Sequence, residues 1–320
     1  MKRLVAALAA AAAVFAGVAA AQEYPSRPVH FVVPYTPGTG ADILARLIGA
    51  RLSERWKQPV VVDNKPGATG NIGAEAVAKS PPDGYTVLFP ATSFATNASL
   101  THAPYDPDKS FEPVALVATS TLAVLVNPQL PVHDLRELIE LAKSKPGKLT
   151  YSSPGVGGVQ HLAMELIKLE TGMRIVHIPY KGASGALSDC VGGHVDATVA
   201  ALQSASPLVH GGKLRMLTVL SAGRSAAFPD VPTLKEQKGM PDLEIDTWYG
   251  SFVPAGTPAE IVQKLNAGIN ESLQDPQIRA SLEKPGLLPA GGDPARLERL
   301  LKSELARWAR VVKSAGIQAD

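Results

Sequence analysis

The chain has 320 residues, of which 45% are hydrophobic and 19% are charged. Its 31 Lys and Arg residues nearly balance its 29 Asp and Glu residues, so the formal net charge is only +2. This balance argues against binding to nucleic acid or to anionic lipid through charge. The length fits one large domain or two medium domains.

The first 21 residues predict a secretory signal peptide. Lys2 and Arg3 precede an unbroken run of small and apolar residues from Leu4 to Ala21, and such a charged start with a small-residue end is typical of cleaved leaders. A transmembrane anchor is the alternative, because the run approaches the ~20 residues that a span needs. The run is mostly Ala, so we expect cleavage after Ala21 and a soluble mature protein. Cleavage leaves 29 Lys and Arg against 29 Asp and Glu.

The chain contains a single cysteine, Cys190. One cysteine excludes an internal disulfide and a cysteine-rich metal site. We expect Cys190 to be a small buried hydrophobe rather than a reactive thiol.

Short β-rich runs alternate with helical patterns, which predicts an α/β fold with a largely parallel sheet. In chain order, we predict strands at 29–33, 60–63, 86–89, 114–126, 150–152, 175–178, 197–201, 216–220 and 248–253. Helical patterns occupy 43–55, 72–79, 135–143, 161–169, 258–273 and 294–312. In the last of these, apolar residues from Leu297 to Trp308 recur at helical spacing, so this helix should pack on the core.

Two segments are interpreted as crossings between two halves of the chain. Residues 114–127 are too long for an average strand, and the strand at 248–253 follows a Pro-rich connection at 228–242. The predicted first lobe therefore comprises residues 22–122 plus 248–320, and the second lobe comprises 123–247. Two lobes joined by two crossing strands suit hinge closure around a ligand.

Gly-rich turns join strands to helices at 37–42, 64–73 and 152–158, and a turn rich in hydroxyls and amides follows at 91–97. Backbone N–H groups at helix starts favour anions. Nucleotide motifs do not match, because Ile43 replaces the third Gly after Gly38 and Gly40, and no Gly-rich turn ends in Gly-Lys-Ser or Gly-Lys-Thr. The turns at 37–42, 91–97 and 152–158 contain no Lys or Arg. One or two carboxylates therefore suit this site better than a triphosphate.

The sequence supports a catalytic function less well than it supports anion binding. The segment 182–186 lacks the last Gly of a nucleophile elbow, although a secreted hydrolase using Ser153 or Ser184 remains the rival function. His161 and Glu165 lie one helical turn apart, but two ligands do not make a metal site. Lys181 could either face the cleft or be solvated. We predict no catalytic residue, no cofactor and no metal.

Several motifs, in this order and spacing, resemble those of the solute receptors of the tripartite tricarboxylate transporter family, known as Bug proteins. They are VPYTPGTGADILAR, DNKPGATGNIGAEAVAKSPPDGYT, YSSPGVGGVQHLAMELIK, IPYKGASGAL, GGHVDA, FPDVPTL and WYGSFVPAGTP. The resemblance runs over the whole mature chain. It implies a two-lobed periplasmic-binding-protein fold, type II-like, that closes on a carboxylate held by loops at helix starts.

The resemblance also implies a periplasmic location and partners. Delivery to membrane transporter subunits is implied, and a sensor kinase is an alternative partner; we expect a monomer that binds no nucleic acid. The ligand class spans amino acids, di- and tricarboxylates and aromatic carboxylates. A carboxylate-sensing component of a signalling system is a further alternative function.

The chain departs from the family at two turns. The first turn has Thr39 where Gly is usual and Ala41 where a hydroxyl residue is common, and the second turn has Thr69 where Gly is common. Backbone contacts are therefore expected to transfer more safely than side-chain contacts. The candidate ligand-binding residues of the first lobe are Tyr35, Gly38, Thr39, Gly40, Thr92, Ser93 and Asn97, and those of the second lobe are Ser153, Gly157, Gly158 and Asp196.

Two of these assignments have alternatives, and so has the role of the neighbouring Asp42. Tyr35 could equally be a core aromatic residue. Asp196 could accept from a ligand or cap its own turn. Asp42 lies three residues after Thr39, which resembles a capping box, and we assign it mainly to helix capping.

Overall fold

The computed structural model describes residues 24–100, 103–240 and 243–315. The predicted signal peptide, residues 1–21, lies outside the described residues. In the described part the strands are β1 (Val29–Val33), β2 (Val60–Asn64), β3 (Thr86–Leu88), β4 (Phe111–Val126), β5 (Thr150–Ser153), β6 (Val176–Pro179), β7 (Ala197–Ala201), β8 (Arg215–Val219), β9 (Asp246–Pro254) and β10 (Leu288–Pro289).

The helices within the same ranges include the six predicted from the sequence. They are α1 (Gly40–Trp56), α2 (Asn71–Ala78), α3 (Ser93–Leu100), α4 (Leu135–Ser144), α5 (Val159–Thr171), α6 (Ala183–Gly192), α7 (Leu202–His210), α8 (Ala259–Gln274), α9 (Pro276–Glu283) and α10 (Pro294–Ala315). The sequence reading did not predict α3, α6, α7 or α9. Among the described helices, none is both long and apolar enough to cross a bilayer.

The strands form two sheets that meet at β4. The first sheet has the order β2-β1-β3-β9-β4, with β10 also on β4, and the second has the order β4-β7-β5-β6, with β8 also on β4. We call the part around the first sheet the first lobe and the part around the second sheet the second lobe.

The expectation of a largely parallel sheet is wrong in the middle of the molecule. The strands β2, β1 and β3 are parallel to one another, and so are β7, β5 and β6. Every pair that involves β4 or β9 is antiparallel. The physical reason is that β4 passes from the first sheet into the second and β9 follows the return connection to the first sheet, and both run against the strands of the βα units.

Strand β4 belongs to both sheets, as expected of a crossing strand. Its residues 111–121 pair with β9, and its residues 122–126 pair with β7 and β8. The chain returns from β8 through residues 220–245 to β9, whose pairs are all in the first sheet. The lobe boundaries at 122 and 248 stay predictions.

The helices pack apolar faces on both sheets. Leu297, Leu301 and Trp308 of α10 are buried, as the helical spacing predicted. Cys190 is also buried, and burial raises the pKa of its thiol to about 12, so it is a structural residue.

Replacing Trp308 tests the contribution of α10. Its side chain is fully buried, and its Nε1 donates to Glu304 Oε2 at 2.9 Å. We expect Trp308→Ala to lower the free energy of unfolding by about 3–5 kcal/mol, because it leaves a large cavity. Urea denaturation measures this loss, with Trp56→Ala, at a half-buried site, as the control. Equal losses for the two variants would contradict a core role for α10.

Candidate functional site

A cavity of about 440 Å³ lies between the lobes. The parallel strands of each sheet end at this cleft, which is where open α/β sheets place their ligand sites. In the described part of the chain, the first residues or cap residues of six helices line it: α1, α2, α3, α5, α6 and α7. The cavity is therefore surrounded by N–H groups that have no acceptor within their own helices.

The first turn, residues 34–39, leads into α1 and supplies part of the cavity wall. Thr39 is the N-cap of α1, but its side chain makes no capping hydrogen bond. Its Oγ1 atom is buried and has no partner among the described residues, and Thr39 lines the cavity. A buried hydroxyl without a partner is costly unless something else satisfies it, which marks Thr39 as a candidate ligand contact.

Asp42 does not complete a capping box with Thr39. Its Oδ2 atom accepts a hydrogen bond from Gly38 N at 2.9 Å, and its Oδ1 atom accepts from Arg46 Nε at 3.0 Å and from Asn64 Nδ2 at 3.0 Å. Burial raises the pKa of Asp42, but these hydrogen bonds outweigh burial and hold it below its usual value. Asp42 therefore stays ionised and fixes the first turn.

Gly40, the first residue of α1, allows a close approach between the lobes. A Cβ atom there would lie 2.5 Å from Tyr249 Oη and 2.6 Å from Gln203 Nε2. Gln203 Nε2 donates to Tyr249 Oη at 2.6 Å, and Ser120 Oγ on β4 donates to Gln203 Oε1 at 2.7 Å. This series of hydrogen bonds joins the second lobe to the first at the base of the cavity.

Two tyrosines bring hydroxyl groups to the cavity. Tyr35 Oη accepts from Ala91 N at 3.0 Å, and burial raises the pKa of Tyr35 to about 12. Burial likewise raises the pKa of Tyr249. Both phenols are therefore neutral, and each retains a proton that it can donate.

The third turn, residues 154–158, contributes less of its backbone than the sequence suggested. Gly157 N donates to His161 Nδ1 at 3.2 Å, and Gly158 N donates to Gly155 O at 3.4 Å. Ser153 is fully buried, and its Oγ atom lies 2.7 Å from His177 Nε2. The groups expected to bind ligand are thus already bonded within the chain.

Asp196 and Asn97 are likewise engaged by their own surroundings. Asp196 Oδ2 accepts from Thr150 N at 2.8 Å and from Thr150 Oγ1 at 3.1 Å, so its carboxylate bonds to the neighbouring strand β5 rather than to its own turn. Asn97 Nδ2 donates to Thr69 O at 3.0 Å. Thr92 Oγ1 accepts from Trp248 N at 2.8 Å.

The cavity brings together only some of the candidate residues. Tyr35, Thr39, Gly40 and Ser93 line it. The lining does not include the other candidates, namely Gly38, Thr92, Asn97, Ser153, Gly157, Gly158 and Asp196. Ligand contacts by these seven residues stay predictions, and the site described below is built on the four that line the cavity.

Sequence reasoning missed several lining residues. They are Thr36, Thr69, Gln160, Tyr180, Gln203, Ser204, Thr247 and Tyr249, while Lys181, whose position had been left open, also lines the cavity. The polar pair Gln203 and Ser204 comes after Leu202, the first residue beyond the apolar strand β7, and polar residues near the end of this strand were the available sequence signal. Tyr249 lies inside a strand and gave no signal.

The charges around the cavity have one sign. Lys181 is the basic side chain in its described lining, and no Asp or Glu occurs in that lining. Helix starts carry partial positive charge. The site therefore favours an anion and offers no carboxylate to an ammonium group.

The arrangement gives little support to catalysis. Ser153 contacts His177, and burial, together with His161, lowers the pKa of His177 to about 4. However, Ser153 is fully buried and does not line the cavity. Ser184 contacts Thr36 Oγ1 at 3.5 Å and Pro37 O at 3.4 Å. The described residues contain no group of three His, Cys, Asp or Glu side chains suited to a metal.

Comparison with known proteins identifies the class. The model of the family described as "Tripartite tricarboxylate transporter family receptor" matches residues 44–317. The chain belongs to this family of solute-binding receptors, which confirms the resemblance seen in the sequence.

Solved structures agree with this assignment. The Rpa4515 protein of R. palustris with adipate has a TM-score of 0.89 and 38% identity, and the match covers 92% of this chain and 99% of that one. The periplasmic binding protein BugD has a TM-score of 0.88 and 32% identity, with 93% and 100% covered. MatC from Rhodopseudomonas palustris with bound malate has a TM-score of 0.85 and 33% identity, with 90% and 100% covered. The two-lobed periplasmic-binding-protein fold is thereby confirmed.

Two glycine variants separate binding from stability. We expect Gly40→Ala to weaken ligand binding about tenfold or more, because the new methyl group displaces the Tyr249–Gln203 hydrogen bond. Gly38 has a φ of +82° with open space around it, so Gly38→Ala should instead cost about 1–2 kcal/mol of stability and leave affinity unchanged. Calorimetric titration and urea denaturation measure the two effects. Equal ligand affinities of the two variants would show that Gly40 is not part of the ligand site.

His177 should make stability fall in acid. Its pKa is lowered from 6.5 to about 4 in the folded state, so between these values the unfolded chain binds a proton that the folded chain does not. The contribution of neutral His177 to the free energy of unfolding is fully present above pH 6.5 and is lost as the pH falls towards 4.

The matched variant is His177→Gln, compared at pH 7 and pH 4.5 by urea denaturation. After allowance for solvent screening, we expect the wild type to lose about 1–2 kcal/mol more than the variant. Parallel losses in the two proteins would show that His177 is not the titrating group.

Proposed function

We propose that the protein is a periplasmic receptor that binds a small carboxylate between its lobes and delivers it to a tripartite tricarboxylate-type membrane transporter. The observation that carries the proposal is the cavity itself, where helix starts converge and the described lining contains no acidic side chain. The family membership supports the transport role. The adipate-bound and malate-bound relatives support the carboxylate.

A carboxylate fits the donors that surround the cavity. We place one carboxylate at the start of α1, within reach of the Thr39 hydroxyl and the first N–H groups of the helix. Each charge-assisted hydrogen bond contributes about 1.5–3 kcal/mol, and micromolar affinity needs about 8 kcal/mol net. Several such bonds reach this value without a side-chain ion pair, because lobe closure excludes water and strengthens each of them.

We further propose that the ligand is a net anion with an apolar body. Val156, Val159, Leu187 and Val199 line the second-lobe side of the cavity, and these surfaces suit methylene groups or a ring. Lys181 offers a cation to a second carboxylate at the same side. An amino acid would bury its ammonium group among helix starts without a carboxylate partner, which is unfavourable.

We propose that the two lobes predicted from the sequence, residues 22–122 plus 248–320 and residues 123–247, are the units that move relative to each other on closure. We propose that the protein acts as a monomer and has no enzymatic activity. The second part is supported by the serine candidates, neither of which has an exposed base beside the cavity within the described residues. We propose that the protein is exported to the periplasm; the predicted leader and the periplasmic relative BugD support this location.

Matched ligand pairs test this function. Adipate, glutarate and succinate are compared by calorimetry with 2-aminoadipate, glutamate and aspartate, which differ from them only by an ammonium group. We expect each acid to bind about tenfold or more tightly than its amino partner, because the ammonium group loses its hydration without a counter-charge. Stronger binding of the amino acids would overturn the net-anion assignment, and failure of all carboxylates would overturn the receptor proposal.

Turnover of simple esters by the same preparation is the control. A rate that disappears in Ser153→Ala or Ser184→Ala would instead support the hydrolase.

A further inference from the structure

The second turn holds two consecutive residues in an unusual backbone conformation. Ala68 has a φ of +46° and Thr69 a φ of +53°. The left-handed region is unfavourable for residues with a Cβ atom, and especially for a β-branched residue such as threonine. Such a conformation persists only where the surroundings fix it, and it is concentrated at functional sites.

Neighbouring side chains fix this conformation. Asn97 Nδ2 donates both to Thr69 O and to Asn71 Oδ1, each at 3.0 Å. Tyr105 Oη donates to the same Asn71 oxygen at 2.8 Å. These hydrogen bonds hold the carbonyl of Thr69 towards the first lobe and direct its side chain across the cleft.

The side chain of Thr69 is inserted into the third turn of the opposite lobe. Its Oγ1 atom donates to Val156 O at 2.8 Å. A Cβ atom on Gly155 would lie 2.7 Å from that Oγ1 atom, and one on Gly158 would lie 3.3 Å from the Thr69 methyl group. The third turn therefore has glycines at the positions where Thr69 needs space.

A second threonine of the first lobe makes the equivalent contact with the next carbonyl of that turn. Thr96 Oγ1 donates to Gly157 O at 2.6 Å, and Thr96 is fully buried. Two consecutive carbonyl groups of the second lobe are thus bonded to two threonine hydroxyls of the first lobe.

We propose that Thr69 and Thr96 form an interlobe latch, in which their hydroxyls bind the carbonyls of Val156 and Gly157 when the lobes close. The strained backbone at Thr69 positions one of the two hydroxyls for this purpose. The latch stabilises the closed state for every ligand alike, because the Thr69 proton is used on Val156 O rather than on the ligand. Thr69 and Thr96 are accordingly positioning residues for ligand capture.

Thr69→Ser and Thr69→Ala form a matched pair that differs by one hydroxyl group. Both remove the β-branch, so neither is expected to increase the backbone strain. We expect the Ser variant to bind carboxylates as the wild type does, and the Ala variant to bind every one of them more weakly by the same factor, roughly threefold to tenfold. A factor that differs between ligands would indicate direct ligand contact and overturn the latch, as would equal affinities of the two variants.

A ligand-free measurement separates the latch from the proposed function. Cysteines introduced at the exposed residues Glu170 and Glu260, one on each lobe, accept spin labels, since the native Cys190 is buried. The distribution of distances between the labels reports the closed fraction. We expect a smaller closed fraction in Thr69→Ala than in Thr69→Ser, whether or not any carboxylate binds. Equal closed fractions would overturn the latch and would leave the receptor proposal to the titrations.

Discussion

The pairing of one strand, β4, with partners in both lobes is the constraint on which the rest of the structure depends. Its residues from Leu122 to Val126 are fully buried, so the strand cannot slip without exposing apolar side chains. Because β4 fixes the two sheets edge to edge, the ends of their parallel strands face the same cleft. Ser120 on this strand also bonds Gln203, which links the base of the cavity to the crossing.

The described lining of the cleft contains no acidic side chain, because the acidic groups near it are bonded elsewhere. Asp42 is bonded to Arg46, Asn64 and the backbone of its own turn, and Asp196 is bonded to Thr150. Their charges are therefore satisfied outside the cavity, while Thr39, with its unpartnered hydroxyl, lies at the start of a helix. This arrangement is the basis of the proposed anion site.

The hydrophobic pattern predicted the strands well, because apolar runs such as 197–201 are bounded by clear turn residues. It missed α6, whose sequence contains Gly185 and several other small residues, and α7, because Pro207 lies inside it. The Gly-rich turns at 37–42, 64–73 and 152–158 all contribute residues to the cavity lining, whereas most of the polar side chains that line it were not predicted. Gln203 and Tyr249 meet only because β9 lies beside β4 and β7 lies on its other side, and this order is a tertiary property. Asn97 and Gly157 were expected at the ligand, yet their polar groups bind other parts of the chain.

The most direct test of the central claim is a crystal structure of the protein with a bound dicarboxylate such as adipate. We predict that one carboxylate lies at the start of α1, with an oxygen about 2.7–3.1 Å from Thr39 Oγ1 or from a backbone nitrogen of residues 40–42. The lobes should be closed, and the Thr69 hydroxyl should remain on Val156 O. A carboxylate bound by Lys181 alone, with Thr39 Oγ1 still unpartnered, would contradict the account.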